Sequence, residues 1–180
     1  MATTASTSAA PAPPIVIVIM GVSGAGKTTV GERLASTLGW AFADADDYHS
    51  AENIARMRRG EGLTDAERAP WLHALAALIA DHVARATPLV LACSALRRSY
   101  RATLAPDTLG TAVRFAHLQV SPETLAARLR ARAGHYASGT LLASQLATLE
   151  PPGTDEGVLV LDGERTPEEI VATLRAALGV

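Results

Sequence analysis

Lysine is almost missing from this chain. Of its 180 residues only Lys27 carries an amine side chain, and every other fixed cation is an arginine. A compact ammonium on a flexible stem survives at one position in a chain that otherwise prefers the planar guanidinium, and the two are not interchangeable where the cation sits between phosphates. Cysteine is equally scarce. Cys93 stands alone, which excludes an internal disulfide and fits a reducing compartment. Aromatic residues make up 4% of the chain, so flat stacking surfaces are few. The net charge of -2 and a pI near 6.2 leave no basic surface for nucleic acid. The apolar run at residues 15–20 is too short to cross a bilayer, so no membrane contact is expected. Residues 1–14 carry no charged side chain and no basic start of a signal peptide. Rich in Ala, Thr, Ser and Pro, they read as a disordered extension ahead of a single domain spanning residues 15–180.

What is present is concentrated around residues 15–30. Six apolar residues lead into Gly21-Val22-Ser23-Gly24-Ala25-Gly26-Lys27-Thr28, followed by Thr29 and a helical pattern. The spacing G-x-x-x-x-G-K-[ST] is that of a phosphate-binding loop. Glycines let successive backbone N–H groups converge on one point, and the N-terminus of the following helix adds partial positive charge there. Residues 21 and 23–29 are therefore expected to bind ATP. Lys27 reaches the β- and γ-phosphates, and the Thr28 hydroxyl can ligate Mg²⁺.

Further along, strands and helices alternate. Residues 15–20 read as a buried strand and residues 40–43, 88–93, 113–119 and 158–161 as further strands, with helical patterns between them. Thr64 with Glu67 forms a capping box, and Thr166-Pro167-Glu168-Glu169 opens the last helix. The expected fold is α/β: a three-layer sandwich with a five-stranded parallel sheet, helices on both faces and a short lid. Asp44-Ala45-Asp46 closes the second strand, where ligands bind in open α/β sheets. An acidic turn capping the next helix would look the same. Arg97, Arg98 and Arg101 follow the third strand, either as an exposed helix start or as an anion site. Arg128, Arg130 and Arg132 precede Gly134 and Gly139. A short arginine-bearing segment between glycines, about residues 130–139, reads as a lid; solvated arginines in a helix–helix loop are the bland alternative.

Together the phosphate loop, the Asp-x-Asp and the arginine-bearing segment resemble the nucleoside-monophosphate-kinase-like P-loop kinases. Finer matches resemble gluconokinase: Asp44-x-Asp46-x-x-His49, Asn53-Ile54, Arg68-x-Pro70-Trp71-Leu72, Cys93-Ser94-Ala95-Leu96, Tyr100-Arg101, Arg128-Leu129-x-x-Arg132-x-Gly134-His135, and Gln145 with Leu149-Glu150-Pro151. They run from about residue 15 to residue 152. Gly62 departs from the family's usual proline, Asp47-Tyr48 from a more apolar pair, and Arg97-Arg98 from lysines.

The resemblance implies ATP-dependent phosphorylation of D-gluconate at its terminal hydroxyl, with Mg²⁺, a cytoplasmic setting and often a homodimer. It implies Asp44 as the metal-side carboxylate, beside Thr28, and Asp46 as the base. Lys27, Asp46 and Arg132 are then the catalytic set, and Arg128 and Arg132 close over ATP. Gluconate needs a cation for its carboxylate and partners for its hydroxyls. Arg97, Arg98 and Arg101 offer the first, which favours the anion-site reading of that cluster; Asp46, His49, Arg56 and His135 offer the second. Cys93 reads as a small buried hydrophobe.

Three other readings compete. A shikimate kinase shares the Asp-x-Asp but calls for glycines after the third strand, where residues 93–98 have none. A nucleoside kinase needs aromatics that are scarce here. An ATP-gated binding module needs no carboxylate pair beside the phosphate loop.

Overall fold

The structure, a computed structural model, describes residues 13–59, 61–131 and 138–180. Most of the N-terminal extension, and the middle of the proposed lid with Arg132 and His135, lie outside the described residues. Pro14 is already buried, and the backbone of Ile15 bonds to Ala112 and Leu89, so contact with the domain begins there.

Five strands form one parallel sheet: β1 (Val16–Met20), β2 (Ala41–Asp44), β3 (Leu89–Ala92), β4 (Val113–Gln119) and β5 (Leu159–Asp162). Their order across the sheet is β2-β3-β1-β4-β5. β1 lies at the centre and is wholly buried, which is why residues 16–20 are apolar without alternation. Its odd and even residues feed two cores. Ile17 and Ile19 pack with Val30 and Leu34 of α1 (Lys27–Leu38), Leu125 of α5 (Pro122–Ala131), Leu142 of α6 (Ser138–Thr148) and Leu174 of α7 (Pro167–Leu178). Val16, Val18 and Met20 pack with Leu75 and Ile79 of α3 (Asp65–Ala84) and Leu104 of α4 (Arg98–Leu104). The three-layer sandwich expected from the alternating pattern is the observed fold.

Helix ends follow the local chemistry. Ser50 caps α2 (Ala51–Arg58), while Thr64 with Glu67 and Thr166 with Glu169 form reciprocal capping boxes on α3 and α7. The parallel register brings Asp44 level with Ala92 and Ala92 level with Ile19. The carboxyl ends of β2, β3 and β1 therefore open onto the same edge, and the loops that leave them build the site.

Candidate active site

The phosphate loop turns directly from β1 into α1. Gly24 and Gly26 have φ of 85° and 96°, a region costly for any residue with a Cβ, so glycine is required at both bends. Lys27 folds back over the loop and its Nζ donates to the Val22 carbonyl at 3.1 Å. The Thr28 hydroxyl donates to Oδ2 of Asp44 at 2.8 Å, and the other oxygen of that carboxylate accepts from the Asp46 backbone N–H at 3.1 Å. Asp44 thus caps the turn of residues 45–48 and faces the loop at once, while the cap of the helix that follows is Ser50.

Residues 45–48 form a single 3-10 turn held from behind by α3. Trp71 is buried, and its indole N–H donates to the Ala45 carbonyl at 2.7 Å. The same indole stacks on His49, with ring centroids 4.5 Å apart and planes 7° from parallel. His49 Nδ1 is buried with no hydrogen-bond partner among the described residues, and burial lowers the pKa of the ring, so the imidazole is neutral. Crowding by protein atoms raises the Asp46 pKa, and repulsion from Asp44 adds to it; Lys27 pulls the other way.

A cavity opens beside this turn. Asp46, His49, Ser94 and Gln145 line it near the loop, and Leu63, Arg68 and Tyr100 line it further along α3 and α4. Ala95, behind Ser94, sits at φ 45°, a strained bend for an L-residue that turns the chain out of β3. Arg68 Nη1 donates to the Tyr100 hydroxyl at 3.3 Å, and that hydroxyl donates to Asp65 at 2.5 Å. Arg97 pairs with the other Asp65 oxygen at 2.6 Å. Both guanidinium groups lie over the Tyr100 ring, at 6.0 and 5.6 Å from its centre. The Tyr100 hydrogen bond and the two arginines hold the Asp65 pKa below its usual value, whereas burial raises that of Tyr100. Two guanidiniums thus face the Asp65 carboxylate here, while Glu61, paired with Arg56 and Arg59, brings a second carboxylate to the cavity lining.

A second cavity, of about 350 Å³, lies on the other side of the phosphate loop, between Gly24–Gly26, Thr29, Arg128, Gly163 and Arg165. That is within the size range of small-ligand sites. Arg128 donates to the carbonyls of Ala25 at 3.3 Å and Gly163 at 2.9 Å, tying the loop to the turn after β5.

A protein-family model described as an AAA domain matches residues 16–152. A gluconokinase from Gluconobacter oxydans is 46% identical over 161 residues, covering 89% of each chain. The crystal structure of a gluconokinase from Sinorhizobium meliloti superposes with a TM-score of 0.79 at 40% identity, covering 92% of each chain. This chain belongs to the gluconokinase family.

A shikimate kinase from Bacteroides thetaiotaomicron has a TM-score of 0.64 at 20% identity and shares the fold. Within the gluconokinase fold, the arginines after β3 divide differently from the expectation. Arg101 does not reach the cavity. Its side chain is 3% exposed, pairs with Glu156 at 2.6 Å and donates to the carbonyls of Ala95, Leu96 and Glu150. It is a structural tie between the turn after β3 and residues 150–156. Arg98 points outward to Asp155 at 2.5 Å, and Arg56 pairs with Glu67 and Glu61; neither lines the cavity. Arg97 is one step removed, acting through Asp65 and the Tyr100 ring.

The cation on the wall is Arg68, which sequence reasoning treated only as part of a motif. A signal was available: Arg68 and Trp71 lie at i,i+3 and share a helix face. Gln145 was passed over in the same way. Among the described residues no group of three or more His, Cys, Asp and Glu forms a metal cluster. Thr28 and Asp44 instead offer an oxygen pair beside the loop, the sparse donor set with which Mg²⁺ is held against substrate phosphates.

Proposed function

We propose that the chain transfers the γ-phosphoryl group of ATP to the terminal hydroxyl of D-gluconate, giving 6-phospho-D-gluconate and ADP. One observation carries this reading. A carboxylate, Asp46, stands where the phosphate loop meets a cavity whose wall also carries the Arg68 guanidinium and the Tyr100 hydroxyl. A sugar acid has the matching ends, an anionic carboxylate and a primary hydroxyl.

Phosphoryl transfer needs positioning and charge neutralisation more than covalent chemistry. Lys27 and the loop N–H groups hold the phosphates, while the 350 Å³ cavity takes the base and ribose with Arg128 on its wall. Arg132, on the same reading, neutralises charge on the group in transfer. Thr28 and Asp44 would hold Mg²⁺, which supplies charge neutralisation and orientation of the phosphates. Asp46 accepts the proton of the attacking hydroxyl. Neutral His49 donates to or accepts from the acceptor's hydroxyls, as does His135. Arg68, backed by Arg97 through Asp65, binds the acceptor carboxylate. The resemblance to the family supports a homodimer and a cytoplasmic setting; no helix among the described residues is long and apolar enough to cross a membrane.

A panel of sugar acids, shikimate and nucleosides in a coupled ADP-release assay tests the reading. D-gluconate should exceed shikimate by at least about a hundredfold in kcat/KM, because a wrong acceptor leaves buried polar groups unpaired. Equal use of shikimate overturns it.

A further inference from the structure

A side-chain hydrogen bond joins the phosphate loop to the acceptor cavity. The Ser23 backbone N–H donates to Oε1 of Gln145 at 2.6 Å, across 122 positions of sequence. Loop amides of this kind ordinarily face phosphate oxygens. Here one is taken by a side chain of α6 that also lines the acceptor cavity, beside Asp46, His49 and Ser94.

A carboxamide is planar and has distinct ends. With Oε1 facing the Ser23 N–H, turning the amide over would set donor against donor. The Nε2 end therefore has a defined place at the boundary between loop and cavity. The helix that carries it is also fixed: the Glu150 N–H donates to the Leu96 carbonyl at 2.8 Å, joining the segment after α6 to the cavity wall. Gln145 is half-buried, so its remaining N–H groups are open to a bound molecule.

We infer that Gln145 positions the acceptor: braced on the Ser23 amide, its Nε2 donates to a hydroxyl of the bound polyol acid and sets the terminal hydroxyl in line with the γ-phosphate. This rests on the gluconokinase reading given above. A neutral donor suits the place, since a cation there would compete with Lys27 for phosphate and pair with Asp46. The contact forms only with the acceptor present, so its loss is read in acceptor kinetics rather than in nucleotide affinity.

Two variants of the full chain test this. Gln145→Met keeps length and shape but has no polar end. Gln145→Glu keeps an oxygen for the Ser23 N–H and loses the donor. Both should lower kcat/KM for D-gluconate at least about tenfold, the order expected for a misplaced reactant. In Gln145→Met the affinity for a non-hydrolysable ATP analogue should stay within about threefold, and the chain should remain folded. Near-normal kcat/KM in Gln145→Glu shows that the donor plays no part and overturns the inference. A parallel loss of analogue affinity in Gln145→Met overturns it too, leaving Gln145 as a brace for the loop. The unmodified chain separates this from the wider reading. If it makes no product from gluconate, both fall; if it does and Gln145→Met matches it, only the role of Gln145 falls.

Discussion

Trp71 and the carbonyl of Ala45 are joined by a buried 2.7 Å hydrogen bond, and through it α3 sets the position of the acidic turn. Ala45 lies between Asp44 and Asp46, so the bond fixes both carboxylates against the phosphate loop. Trp71→Phe keeps a ring to stack on His49 but strands the Ala45 carbonyl. The expected cost is about 1–3 kcal/mol of stability. Because small displacements of reacting groups are costly, kcat should also fall at least about tenfold while ATP still binds. Urea unfolding and steady-state kinetics check the two effects; a destabilised variant with unchanged kcat would leave the turn positioned by other contacts.

Asp46→Asn separates base from cap. Asparagine caps nearly as well as aspartate, and Asp44, not Asp46, supplies the capping oxygen here. Turnover should fall at least about a hundredfold with ATP affinity retained. The pKa of Asp46 is raised in the folded state. Its contribution to stability is therefore full below the unfolded value and is lost as pH rises through the folded value. At neutral pH the charged group disfavours the fold, so the variant should melt no lower than the parent. In the parent, kcat/KM, which reports groups of the free enzyme, should decline as pH falls through a midpoint above the usual carboxylate value. Asp44→Asn should instead raise the Mg²⁺ requirement; swapped phenotypes would reverse the two roles.

Arg101 and Arg68 should behave as opposites. Arg101→Gln leaves the Glu156 carboxylate without its cation and takes donors from the carbonyls of Ala95, Leu96 and Glu150; breaking such a buried pair costs about 3–5 kcal/mol. The Arg101 hydrogen bonds hold the Glu156 pKa low. That stability is present above the ordinary glutamate value and is lost as pH falls through the folded one, so the variant's melting temperature should depend less on acid. Arg68→Met should fold normally and raise the KM for gluconate. A large gluconate defect in folded Arg101→Gln, with none in Arg68→Met, would restore the cluster after β3 as the carboxylate site.

The two scarce residues make chemical probes. Lys27 is the only side-chain amine, so Mg-ATP should protect the chain's one lysine from an amine reagent. An unchanged labelling rate at saturating ATP would remove Lys27 from the nucleotide site. Cys93 is buried below the loop, where burial pushes its pKa up to about 12. A thiol reagent should therefore react at the rate of unfolding and leave the native enzyme active.

Legibility in the sequence followed the range of the interactions. The phosphate loop, the caps at Thr64 and Thr166 and the buried β1 depend on neighbours within a few residues, and all could be read directly. The direction of each arginine depends on packing between distant segments. Arg101 turns inward because Glu156, 55 positions away, comes to lie beside α4. Nothing local to Arg98, Arg101 or Arg68 distinguishes which of them faces a cavity. Gln145 was illegible for the same reason, since its partner is 122 positions away.

The position of the transferred phosphate tests the central claim most directly. In the proposed reaction the acceptor carboxylate binds at Arg68 and the primary hydroxyl at Asp46. Incubated with Mg-ATP and D-gluconate, the chain should form one product. Its phosphorus resonance should be split by the two protons of a neighbouring methylene, as in an ester of the terminal carbon. Splitting by a single proton, from a secondary hydroxyl, would contradict the placement, and release of inorganic phosphate alone would contradict the activity.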